Sequence, residues 1–186
     1  MSVKRIANRY AKSLLDLAQE TNELATINTE VRDMLQLIEE QRDLYLLVKS
    51  PIVSEEKKVA IFRQLFEDKV SELMMTFLDI VIRKKRETFL LDIFQAFIEQ
   101  YNTLKGITPV KLTTAVPVND DFQQQVIALM QKEFNKQTIE LTTAVDDELV
   151  GGFVLQFEDK RLDASVAHQL EELRKEFHKN TQFKNQ

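Results

Sequence analysis

The sequence predicts a two-domain, mainly α protein: a helical bundle over residues 1–105, then a small α+β domain with a mixed sheet over 106–186. Three observations carry this expectation. Between residues 3 and 104 apolar side chains recur every three or four positions, the period of an amphipathic helix, and glycine is absent. Gly106 ends that pattern, as a residue that enters a left-handed turn without strain. Beyond it the period drops to two, with Val110, Leu112, Thr114, Val116 and Val118 alternating with Lys111, Thr113 and Ala115, as in a half-buried strand.

The first helix carries Val3, Ala7, Tyr10, Leu14 and Leu17 on one stripe, widened by Ala11 and Ala18, with Ser2 placed to cap it. The second runs from about Ile27 through Val31, Leu35 and Ile38. A short third, with Leu44, Leu47 and Val48, ends before Ser50-Pro51, because proline disfavours helix in the residue before it and lacks a donor. Ser54 then offers an N-cap, Glu55 and Glu56 suit the positive end of a helix dipole, and Val59, Phe62 and Phe66 form the inward stripe. The next helix, roughly Glu72 to Lys85, is apolar on more than one face; it sits centrally or lends a second face to a partner. Leu90, Phe94, Phe97, Tyr101 and Leu104 mark the last helix before Gly106.

In the second domain Asn119 caps a helix with Phe122, Val126, Leu129 and Phe134 inward. Ile139 to Val145 reads as a strand, Asp146-Asp147 as a turn, and Leu149 to Phe157 as another strand. After a turn at Glu158-Asp159, Val166, Leu170, Leu173 and Phe177 build a final helix, and a polar tail follows from Lys179. Helices on one face of a small mixed sheet bury these stripes most simply.

Composition narrows function. The net charge of -5 disfavours polyphosphate partners, and the absence of cysteine excludes disulfides, thiolate metal sites and a thiol nucleophile. No apolar run approaches the roughly 20 residues of a membrane span, and the N-terminus lacks a secretory or transit pattern. Gly151-Gly152 lacks the lysine of a P-loop and the third glycine of a dinucleotide fingerprint, so no nucleotide or other cofactor is expected. Asp146, Asp147, Glu148, Asp159 and Asp163 do not follow a calcium-loop pattern, and His168 and His178 are too far apart for a one-turn zinc pair; no metal is expected. Asp163, Ser165 and His168 spell a hydrolase set only on paper, since three residues so close along one helix start do not converge on a substrate. The run Arg83-Lys84-Lys85-Arg86 admits a nucleic-acid reading, yet cations also belong at the C-terminal end of an apolar helix.

Two motifs point further. Ile6-Ala7-Asn8-Arg9-Tyr10-Ala11-Lys12-Ser13-Leu14 resembles the opening of the F-type ATP synthase delta subunit family, the oligomycin-sensitivity-conferring protein of mitochondria. Asp147 to Leu155, with Gly151 and Gly152, then Asp163-Ala164-Ser165-Val166 and Leu170-Glu171-Glu172-Leu173, is similar to that family's C-terminal signature. Ala164 stands in place of a usual glycine, and Lys84-Lys85 where the family often has Asn-Gly. The resemblance implies a six-helix N-terminal bundle that binds the N-terminal helix of an alpha subunit, and a C-terminal domain that meets the b subunits of the peripheral stalk. It thus implies a non-catalytic stator connector without direct nucleotide or nucleic-acid contact, held at the cytoplasmic face of a bacterial inner membrane only through the complex. The groove for the alpha helix is expected between Ala7, Tyr10, Ala11 and Leu14 on one wall and Phe77, Ile80 and Val81 on the other. Core packing accounts for the same apolar surplus equally well.

Overall fold

The computed structural model describes residues 2–134 and 138–182, the side chains of 133–134 and 176–182 excepted. Two compact units divide the chain, Met1–Leu104 and Lys105–Gln186. The first holds α1 (Val3–Glu20), α2 (Leu24–Glu40), α3 (Arg42–Lys49), α4 (Glu55–Phe66), α5 (Glu72–Arg83) and α6 (Leu90–Lys105), with a 3-10 turn at Glu87–Phe89.

Several boundaries have a local cause, whereas Ser2 and Ser54, expected as caps, make no side-chain cap hydrogen bond. The residue before Pro51 is extended, which stops α3. Ser71 caps α5 by accepting a hydrogen bond from the Met74 amide, while Glu30 of α2 accepts from the Ser71 amide at 2.6 Å and hydroxyl at 2.8 Å. Asn22, Lys85 and Gly106 all adopt positive φ after helices, and after the first two the Glu23 and Arg86 amides close back onto the Ala18 and Val81 carbonyls, five residues earlier. Lys85 therefore fills a left-handed position that glycine meets more cheaply, which explains why the resembled family often has Asn-Gly there.

One core joins all six helices of this unit, from Ala7, Ala11, Leu14 and Ala18 through Phe62, Phe77, Leu78 and Val81 to Phe94 and Phe97. The stripe expected on α1 is rotated: Ile6 and Leu15 are buried, whereas Val3 and Leu17 stand about two-fifths exposed, because the alanines allow close packing centred on Ala11. Lys58 is buried too, and its ammonium donates to Glu87 Oε1 at 2.7 Å and to the Ser50 carbonyl at 2.6 Å. That tether fixes the loop after α3 against the turn that follows α5.

The second unit has β1 (Ile107–Thr114), α7 (Asp120–Phe134), β2 (Thr138–Val145), β3 (Phe153–Phe157), β4 (Lys160–Asp163) and α8 (Val166–Gln182), with a 3-10 turn at Asp147–Leu149. The sheet order is β2-β1-β3-β4; β1 and β2 are parallel through the α7 crossover, and the other pairs are antiparallel. Val110, Leu112, Leu155 and Phe157 pack with Val126 and Met130 of α7, joined by Phe122, Ile139, Leu141 and Phe153.

Here the sequence expectations shift in five places. β1 stops at Thr114, whose hydroxyl donates to the Val116 carbonyl ahead of Pro117. Met130 replaces Leu129 on the inward face of α7, since positions 122, 126 and 130 share a stripe. The strand expected from Leu149 begins only at Phe153, because Asp146 caps a turn through the Glu148 amide and Val150 and Gly152 take positive φ. β4 was not expected, its four residues being nearly all polar. α8 continues to Gln182, past Lys179 where a tail was expected, while the side chains of Phe134, Phe177 and His178 lie outside those described.

Candidate functional site

The seven residues expected to line a groove fall into two groups. Ala7, Ala11, Leu14, Phe77 and Val81 fill the core of the first unit, none more than 6% exposed. Tyr10 is half-buried against that core under the Arg9 guanidinium, 5.9 Å from its ring centre, and Ile80 is 47% exposed. An open apolar face on α1 is therefore left to Val3, Tyr10 and Leu17, seven residues apart along one side of the helix. The sequence sets Val3 and Leu17 on one stripe with Ala7 and Leu14; only a sense of which flank the alanines present could have separated them.

Gly151, Gly152, Asp163 and Ser165 do come together, at the root of α8. The Val166 amide donates to the Gly151 carbonyl at 3.0 Å and the Ala164 amide to the Phe153 carbonyl at 2.9 Å. Gly152 lies so close to the 164–165 backbone that a Cβ there would sit 2.3 Å from the Ala164 oxygen. Asp163 Oδ1 accepts from the Ser165 hydroxyl at 2.6 Å and amide at 3.0 Å, and Ser165 Oγ in turn accepts from the His168 amide, capping α8. These bonds from Ser165, hydroxyl first, hold the Asp163 carboxyl below its ordinary range, against a small opposing effect of burial.

The same geometry disposes of the hydrolase arrangement. Ser165 is buried at 2% exposure with its hydroxyl committed to the cap, and His168 meets it through the backbone amide. Among the described residues, no group of three or more His, Asp or Glu side chains is placed to hold a metal ion. The basic run 83–86 is interleaved with carboxylates: Lys85 pairs with Glu55 at 3.0 Å, and Arg83 shares an open cleft of about 530 Å³ with Glu55, Glu56 and Arg63.

Beyond that root, the side chains of α8 described, residues 166–175, do not enter the core of their unit. All its described residues are exposed, and Val166, Leu170 and Leu173 form an apolar line at 38%, 53% and 50% exposure. The spacing i, i+4, i+7 is that of a helix face meant for another surface.

A closed helical unit and a small sheet unit, each with an uncovered apolar helix edge, define an interaction protein. The family profile described as ATP synthase delta (OSCP) subunit matches residues 6–177. The chain belongs to that family, a non-catalytic structural part of F-type ATP synthase. It is 34% identical to ATP synthase subunit delta of Cytophaga hutchinsonii, over 95% of this chain and 96% of the relative. With the Salinibacter ruber subunit delta the identity is 33%, over 91% and 89%. A chain of the Toxoplasma gondii mitochondrial ATP synthase hexamer shares the fold, with a TM-score of 0.72 over 92% of this chain and 96% of that one at 23% identity.

Proposed function

We propose that this subunit is the stator connector that ties the catalytic head to the peripheral stalk, so that proton-driven rotation is coupled to ATP synthesis. The observation that carries the reading is the pair of uncovered apolar helix edges, Val3 and Leu17 with Tyr10 on α1, and Val166, Leu170 and Leu173 on α8, one in each unit. Residues 1–105, as a six-helix bundle, bind the N-terminal helix of an alpha subunit along Val3, Tyr10, Leu17 and Ile80, with Ala7, Ala11, Leu14, Phe77 and Val81 as the floor beneath. Residues 106–186 meet the b subunits through α8. Membrane association, at the cytoplasmic face of a bacterial inner membrane, comes through the complex. No helix among the described residues is long and apolar enough to cross a membrane.

Such a joint works by affinity and stiffness, and an amphipathic guest helix anchored at i, i+3, i+4 and i+7 supplies both. Calorimetry of the full chain with a synthetic alpha N-terminal peptide tests the head contact. Val3→Glu/Leu17→Glu is expected to keep the fold and weaken binding at least tenfold. Equal affinity of this variant and the native chain moves the contact to another face.

A further inference from the structure

The two edges of the small sheet are built differently. β4, at one edge, has four residues of which Lys160, Arg161 and Asp163 are charged. That is a short, guarded edge, the ordinary protection against pairing with a foreign strand. β2, at the other, runs for eight residues, Thr-Ile-Glu-Leu-Thr-Thr-Ala-Val, with five β-branched side chains, one charge and neither lysine nor proline. It pairs only with β1, and no second strand lies beside it among the described residues.

Burial says the same. β1 buries Thr108, Val110, Leu112 and Thr114, and the register sets Ile139, Leu141, Thr143 and Val145 beside them on the α7-covered face. Yet no residue of β2 is buried, and Val145 is 52% exposed. On that face Ile139 and Leu141 are half-buried and Thr143 and Val145 exposed, with no described strand beyond them. At the end of β2, Asp146, Asp147 and Glu148 are exposed and enter no ion pair among the described residues.

We propose that the free edge of β2 accepts an extended strand from a partner chain, apolar at the alternate positions that continue the Thr143 and Val145 row and carrying Lys or Arg where it meets Asp146 to Glu148. Only an extended polypeptide offers carbonyls and amides at the repeat of a strand edge, and such strand addition is a common recognition mode. The acidic end favours a basic segment over a second copy of this chain, whose own net charge is -5. The inference stands on the sheet's own hydrogen bonding and does not depend on which unit meets head or stalk.

Residue-resolved hydrogen exchange over 138–145 tests it, on the full chain free in solution and in ATP synthase isolated intact from its membranes. Alternate amides of β2 are expected to slow at least tenfold in the complex while β1 amides do not change. Identical exchange in the two states overturns the proposal, as does uniform slowing of the whole second unit, which marks general stiffening. Slowing in the free chain as its concentration rises assigns the edge to a second copy and overturns the partner strand. Because amides alternate sides, one of Thr142→Pro and Thr143→Pro removes an edge donor and the other a donor to β1. The edge variant is expected to fold and lose the protection; a folded variant that keeps it in the complex contradicts strand addition. Should neither variant fold, the exchange of the native chain decides.

Discussion

α1 and α8 are both amphipathic helices of similar length, and the structure treats them in opposite ways. α1 buries Ile6, Ala7, Ala11, Leu14, Leu15 and Ala18, whereas every described residue of α8 is exposed. A helical period announces an apolar face but does not say whose surface covers it. In the first unit the face is satisfied within the chain, and in the second it is left for something else. On the proposed connector reading α8 carries the load, so its root matters as much as its face.

The sharpest way to break the contrast is one charge on each helix. Ala11→Glu places a carboxylate at a site with no exposure and no partner, and is expected to cost about 4 kcal/mol or more, enough to unfold the first unit. Leu170→Glu, on a side chain 53% exposed, is expected to change stability by less than about 0.5 kcal/mol. Thermal denaturation followed by circular dichroism compares the two, and equal losses would erase the distinction between a closed and an open helix.

The closed unit also satisfies Lys58, the one buried cation among its described residues. Lys58→Met strands the Glu87 carboxylate, whose second oxygen is already buried without a partner, and is expected to cost about 3 kcal/mol. Lys58→Met/Glu87→Leu should return close to the native stability, because matched apolar side chains often replace a buried pair at little cost. A double variant as unstable as the single would mean that the Ser50 carbonyl contact matters more than the carboxylate.

The root of α8 is the one part of that helix held tightly. Gly152→Ala sets a Cβ against the Ala164 and Ser165 backbone at φ +77° and is expected to cost about 3 kcal/mol in urea unfolding. Gly106→Ala, at φ +65° with nothing within 4 Å, should cost about 1 kcal/mol, the conformational share alone. Similar losses at both sites would remove the close approach as the reason for the glycine pair.

Smallest is the effect of Asp163. Its folded carboxyl titrates below the unfolded one, so it contributes stability above the unfolded value, and that contribution is lost as pH falls through the folded value. Asp163→Asn should therefore flatten the acid limb of the stability profile of the second unit while leaving its neutral-pH fold intact. An unchanged acid limb would mean that the Ser165 bonds are made equally well to a neutral side chain.

Much of this was legible from residues alone. Ser50-Pro51 and Gly106 stop helices through backbone restrictions, and the apolar surplus of α5, read as a central place or a second face for a partner, divides into buried Met74, Phe77, Leu78, Val81 and Ile82 and an exposed Ile80. The burial of Lys58 was also written in the spacing, since it sits four and eight residues before Phe62 and Phe66, but a lysine is ordinarily read as solvated. β4 was not legible because its pairing comes from β3 through the backbone, with only Leu162 to mark it. The groove residues show the deeper limit: Ala7 and Ala11 promise close approach, and the sequence does not say whether the approaching helix is a neighbour in the chain or a guest.

The connector reading is tested most directly on α8 in the assembled enzyme. Leu170→Glu/Leu173→Glu, introduced into the chain and followed by washing isolated membranes at low salt, is expected to release the catalytic head together with this folded subunit, with loss of proton-coupled ATP synthesis and retention of ATP hydrolysis by the released head. A variant enzyme that keeps its head on the membrane and couples as well as the native one would contradict the account.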